Sequence, residues 1–166
     1  MNQSKPRILV VDDEPDVLQA IETSLSLSGY TVVAVSTPDE ALKICEQQPI
    51  DLAVIDFILK KMDGLELLAR IRQVRPLIRS IIISGKIASP TDPRQISEVL
   101  KERVQADAYL EKPVAGSELE KQVAALLADV PSSDWKEIGK RMVSGQNAKI
   151  KSAAEAARAL KKYKRK

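Results

Sequence analysis

Leu52-Ala-Val-Ile-Asp56 sets an unbroken apolar run directly before a carboxylate. Four apolar residues in succession leave no alternation for a strand with one wet face. They fit a strand buried on both sides, as in a parallel sheet covered by helices. Four more runs share the pattern: Ile8-Leu-Val-Val11, Thr31-Val-Val-Ala-Val35, Ser80-Ile-Ile-Ile83 and Ala108-Tyr-Leu110. Successive runs start more than twenty residues apart, too far for hairpins, so each interval has to carry a crossover.

The intervals read as helices. Val17, Ile21 and Leu25 recur at helical spacing, and Gly29 closes the segment. Thr37-Pro-Asp-Glu40 is a capping box with proline at the first helical position. Leu68, Ile71 and Val74 mark a third helix that Pro76 ends, and a weaker fourth spans Arg94 to Val104. Ser117-Glu-Leu-Glu120 is a second capping box, opening a helix through Leu119, Val123, Leu126 and Leu127. Strands alternating with helices predict an α/β fold, a doubly wound five-stranded parallel sheet over residues 1–130.

Composition narrows the chemistry. With 44% apolar and 30% charged residues, the 166-residue chain reads as a soluble globular protein. No apolar run approaches the roughly 20 residues that cross a bilayer. Met1-Asn-Gln-Ser-Lys-Pro-Arg7 lacks the pattern of a secretory signal, so a cytoplasmic setting is expected. Cys45, the only cysteine, sits among Ala41, Leu42 and Ile44 as a core thiol. The chain has no histidine, which removes serine–histidine and cysteine–histidine catalysis and histidine-ligated zinc.

In open α/β sheets, ligands bind beyond the carboxyl ends of the strands, where the strand order reverses. The polar residues gather there. Asp12 and Asp13 follow the first run, Asp56 the third, Ser84 the fourth, and Lys112-Pro113 come just after the fifth. In a sheet of order 2-1-3-4-5, the three aspartates converge on one crevice. Singly, each has a bland reading: Asp13 before Glu14-Pro15 serves equally as a helix cap, and Ser84 as a turn residue. Asp56 and Lys112 are harder to dismiss, because a charge at a buried strand end is costly without a partner. Three carboxylates, a hydroxyl and an ammonium suit a hard divalent cation, Mg²⁺, and phosphoryl transfer.

Together these residues resemble the receiver domain of bacterial two-component response regulators, across residues 7–129. The resemblance implies a flavodoxin-like fold and phosphorylation of Asp56. It also implies Mg²⁺ held by Asp12, Asp13, Asp56 and the backbone carbonyl of Ile58. By the same resemblance, Ser84 is the switch hydroxyl and Tyr109 the switch aromatic, which turns inward behind it. Tyr109 on its own reads as a half-buried strand aromatic. The resemblance further implies that Lys112 contacts the acyl phosphate and that Lys112–Pro113 is a cis peptide. Met62-Asp-Gly64 matches as well, with Gly64 eight residues past Asp56.

The donor is then a histidine kinase or phosphotransfer protein, and the domain promotes its own phosphorylation and dephosphorylation without being a conventional enzyme. The resemblance places the output face on the fourth and fifth helical segments and the fifth strand. A haloacid-dehalogenase-type phosphatase uses similar groups but needs a second aspartate two residues after the first, where this chain has Glu14.

The chain departs from that family's pattern in places. Lys60 stands where proline is usual, Gln105 where glycine is common, and Ser89-Pro-Thr-Asp-Pro93 reads as an insertion. Ile58 is apolar at a position that helps set hydrolysis of the acyl phosphate, so a long-lived phosphorylated state is expected.

Charge divides the chain in two. Residues 1–130 hold 15 Lys/Arg against 20 Asp/Glu, and residues 131–166 hold 11 against 3. In this basic segment Trp135, Ile138, Met142 and Val143 share one helical face, and residues 147–166 are rich in alanine and lysine. Three uses stand open. One is a helical extension that supports the receiver or a homodimer. Another is contact with DNA or another polyanion, making a minimal transcription regulator. The third is docking to a downstream protein target or an anionic membrane surface.

Overall fold

The computed structural model describes residues 5–85 and 105–128. The helix expected over 94–104, the 89–93 insertion and the basic segment 131–166 lie outside the described residues. Strands β1 (Arg7–Val11), β2 (Thr31–Val35), β3 (Leu52–Asp56), β4 (Arg79–Ser84) and β5 (Ala108–Glu111) form one parallel sheet. Its order is β2-β1-β3-β4-β5, as the sequence predicts. Helices α1 (Pro15–Leu27), α2 (Pro38–Gln47), α3 (Gly64–Val74) and α4 (Gly116–Ala128) flank it.

Full burial on both faces holds for the inner strands only. β1, β3 and β4 are almost wholly buried, whereas β2 is half-buried throughout and β5 exposes Tyr109 and Glu111. The two exceptions are the sheet edges, which have a neighbour on one side alone. Side chains alternate between two cores. Leu9, Val11, Ala53, Ile55 and Ile82 meet Ala41 and Cys45 of α2 and Leu67, Leu68 and Ile71 of α3. Ile8, Val10, Leu52, Val54, Ile81 and Ile83 meet Ile21 and Leu25 of α1 and Leu119 and Val123 of α4. Each fully buried Leu, Ile or Val among them contributes about 1.5–3 kcal/mol.

Local signals set the helix ends. At the end of α1, Tyr30 N–H donates to the Leu25 carbonyl and Gly29 N–H to that of Ser26, a Schellman motif. Gly29 takes the left-handed backbone this requires, at φ 92°. Thr37 Oγ1 caps α2 by accepting from Glu40 N–H, and donates to the Glu40 carboxylate in return. The second predicted capping box does not form. α4 already begins at Gly116, and Glu120 accepts a hydrogen bond from the Ser24 hydroxyl at 2.8 Å instead. A Cβ at Gly116 would lie 2.7 Å from Ser24 Oγ, so the start of α4 is seated directly on α1.

A polar pin joins the amino ends of β4 and β5. Asp107 accepts from Ser80 N–H and from Arg79, both at 2.9 Å, and Arg72 lies 3.6 Å away. Arg72 also donates to the Gln105 carbonyl at 2.7 Å.

Cys45 is fully buried under α2. Burial pushes its thiol from 9.0 up to about 11, with Arg75 pulling the other way. The folded state therefore holds this proton longer than the unfolded chain does. The stability contributed is complete below pH 9 and is lost as the pH climbs toward 11. We expect urea midpoints to fall across that window more steeply in the native sequence than in Cys45→Ala. Equal slopes would show that Cys45 does not set the dependence.

Candidate functional site

Because the strands are parallel, β1, β3, β4 and β5 all end on one edge of the sheet. From β1 the chain crosses to β2 on one side, and β3 then pairs on the other, which opens a crevice at the carboxyl ends. Asp12 lies one residue past β1. Asp56 is the last residue of β3, opposite Ile83, and Ser84 ends β4 opposite Glu111. Both residues thus belong to their strands, not to the loops after them. Carboxylate oxygens of Asp12, Asp13 and Asp56 all lie within 4.8 Å of one another.

Asp12 and Asp56 are buried, Asp13 less so. Lys112, just past β5, reaches both: its Nζ lies 2.9 Å from Asp12 Oδ2 and 3.1 Å from Asp56 Oδ2. Burial, and then the neighbouring Asp12, push the Asp56 carboxyl above its ordinary range, while Lys112 draws it back. For Lys112, burial disfavours the ammonium, but bonds to Asp12, Glu14 and Asp56 outweigh this and raise its pKa. The remaining carboxylate oxygens are held locally. Asp12 Oδ1 accepts from Glu14 N–H at 2.9 Å, and Asp56 Oδ1 from Ile58 N–H at 3.3 Å.

The loop after β3 is folded tightly. Phe57 N–H donates to the Ile83 carbonyl, Gly64 N–H to the Phe57 carbonyl, and Ile58 bridges Asp63. Asp63 Oδ1 caps α3 by accepting from Glu66 N–H at 2.8 Å. A Cβ on Gly64 would stand 2.5 Å from the Asp56 carbonyl oxygen, so only glycine lets α3 start this close to the end of β3. The Ile58 side chain is largely exposed.

The fold thus gathers Asp12, Asp13, Asp56 and Lys112. Ser84 is buried beside them, and its carbonyl accepts from Lys112 N–H at 2.8 Å. Lys112–Pro113 is cis. Tyr109 is not part of the cluster. Half-exposed, it turns its hydroxyl toward the start of β5, where it accepts from Ala106 N–H at 3.1 Å. One participant escaped the sequence reading: Glu14, whose Oε1 lies 3.0 Å from Lys112 Nζ. Its only signal was its place in the acidic run before Pro15, where a helix-start residue reads the same way.

Residues 8–124 match the family described as Response regulator receiver domain. The chain belongs to that family. Receivers are signalling domains and not conventional enzymes. The chain is 34% identical over 134 residues to the alkaline phosphatase synthesis transcriptional regulatory protein PhoP of Bacillus subtilis, covering 78% of this chain and 53% of that protein. It is 31% identical over 126 residues to a probable transcriptional regulator, ycf27, of Guillardia theta, covering 75% and 46%. It therefore spans about half the length of these relatives. A CheY-like receiver domain protein from Methanospirillum hungatei superimposes with a TM-score of 0.67 at 31% identity, over 76% of this chain and 96% of that one. Among the described residues, no helix is long and apolar enough to cross a membrane.

In this receiver Gly64 holds the crevice loop against β3. Gly64→Ala should lower the urea midpoint with an unchanged slope, a loss of about 1–3 kcal/mol from overpacking. A midpoint within error of the native protein would mean that the loop absorbs the methyl group.

Proposed function

We propose that this receiver accepts a phosphoryl group on Asp56, Mg²⁺-dependently, and that the modification switches a protein-interaction face. The observation that carries the proposal is the Lys112 ammonium, held within 3.1 Å of the buried Asp12 and Asp56 carboxylates. A lysine in that position donates to oxygens that gain charge as phosphorus changes partners.

Three hard carboxylates close together fit a divalent cation, with Asp12, Asp13, Asp56 and the Ile58 carbonyl as its protein ligands. Mg²⁺, when bound, neutralises charge on the carboxylates and on phosphoryl oxygens. In the receiver family the donor is a phosphohistidine on a histidine kinase or phosphotransfer protein, and this chain, which has no histidine, would take the group from such a partner. A carboxylate oxygen of Asp56 bonds to phosphorus. The phosphorus–nitrogen bond breaks, and the electron pair leaves with the donor imidazole. Hydrolysis of the acyl phosphate later returns the carboxylate, and Ile58 at the loop slows it by screening water.

The new charge gives the Ser84 hydroxyl and the Lys112 ammonium a partner that exists in one state only. Tyr109 then gives up its bond to Ala106 N–H and turns inward, recasting the face that a downstream protein, or a second copy of the chain, would recognise.

A small-molecule phosphodonor such as acetyl phosphate, supplied with Mg²⁺, should add one hydroxylamine-labile phosphoryl group by intact mass. Asp56→Asn or removal of the cation should abolish it, and Ile58→Asn should shorten its lifetime. Labelling that persists in Asp56→Asn would overturn the assignment.

A second function is favoured by the relatives' description as transcriptional regulators and by the basic residues 131–166. In it the segment contacts DNA. Duplex binding should then fall steeply with salt and vanish in a chain ending at residue 130. Absence of binding at low salt would leave a protein as the output target.

A further inference from the structure

Glu14 is used by nothing proposed so far, yet it shares the Lys112 ammonium with Asp12 and Asp56 at nearly the same distance. The three anions differ in kind. Asp12 and Asp56 are buried and belong to the carboxylate set that fits a cation, whereas Glu14 is 63% exposed and stands outside it. Lys112 therefore lies between two candidate ligands and one anion at the rim. Glu14 is also the residue that precedes α1 at its N-cap, but its side chain makes no capping hydrogen bond. Its carboxylate is committed to the lysine and not to the helix.

A divalent cation entering among Asp12, Asp13 and Asp56 competes with the ammonium for two of its partners and repels it. Lys112 cannot leave, because its backbone N–H is tied to the Ser84 carbonyl at 2.8 Å, so the ammonium has to swing. We infer that Glu14 is a positioning residue that receives the Lys112 ammonium when the cation enters. It lowers the cost of cation entry and keeps the ammonium at the mouth of the crevice, where an incoming phosphoryl oxygen would meet it. This rests on the reading of the three aspartates as cation ligands.

The test uses the full chain and Mn²⁺ alone, with free Mn²⁺ counted by electron paramagnetic resonance at fixed salt. Glu14→Gln should weaken Mn²⁺ binding about two- to fivefold, the scale of an ion pair with one exposed member, without moving the urea midpoint. In a Lys112→Met background, where no ammonium needs a new partner, the same substitution should leave the affinity unchanged. Equal loss in both backgrounds would make Glu14 a general negative charge and overturn the inference, as would no loss in the native background. A native chain that binds no Mn²⁺ would overturn the aspartate reading itself, a result distinguishable from either.

Discussion

Two carboxylates lie buried side by side at the end of this sheet, and the Lys112 ammonium makes that arrangement tenable. Asp12 continues Val11 and Asp56 continues Ile55, so each stands where the strand pattern calls for another apolar residue. Burying an unpaired ion costs several kcal/mol, more than one aliphatic side chain returns. A fold selected for stability alone would not keep both. With a third carboxylate and a shared lysine they concentrate poorly solvated negative charge at one point, which pushes the Asp56 carboxyl above its ordinary range.

The rest of the molecule supplies the rigidity this needs. Parallel pairing fixes the ends of β1, β3 and β4 relative to one another, and two aliphatic cores clamp the sheet from both faces. Gly64 then brings the start of α3 against the Asp56 carbonyl, and Asp63 secures that start by capping the helix. At the opposite pole, Asp107 binds the start of β5 to β4 through Ser80 and Arg79. The crevice thus sits at the edge of the core, on and immediately beyond the strand ends.

Much of this was legible in the sequence, for a physical reason. Strands buried on both faces must be nearly continuous in apolar residues, so Leu52–Ile55 and its counterparts declared themselves, and the charges ending them stood out by contrast. Burial of the edge strands was misread, because a run such as Thr31–Val35 does not say on which side of the sheet it will sit. The Ser117 capping box failed for a related reason: Glu120 found Ser24 across a helix interface that no local spacing encodes. Glu14 and the Asp107 pin were missed because their partners are distant in sequence, Lys112 for one and Ser80 and Arg79 for the other. Such contacts carry no periodic signature.

β5 brings these points together. It is four residues long, pinned at its start through Asp107 and followed at its far end by Lys112 and its carboxylates. A change of charge in the crevice acts on one end while the other stays fixed, so the backbone has little room to answer. The side chains can. Among the described residues Asp107 has two charged partners, Arg72 and Arg79, and is the harder to move. Tyr109 is half-exposed, and the hydroxyl contact to Ala106 N–H is a neutral hydrogen bond worth about 1 kcal/mol. A switch needs two states separated by only a few kcal/mol, so that a modest differential contact can reverse their populations. Of the two, Tyr109 is held by the weaker contact and is the one suited to the switch proposed above; the Asp107 pin is not.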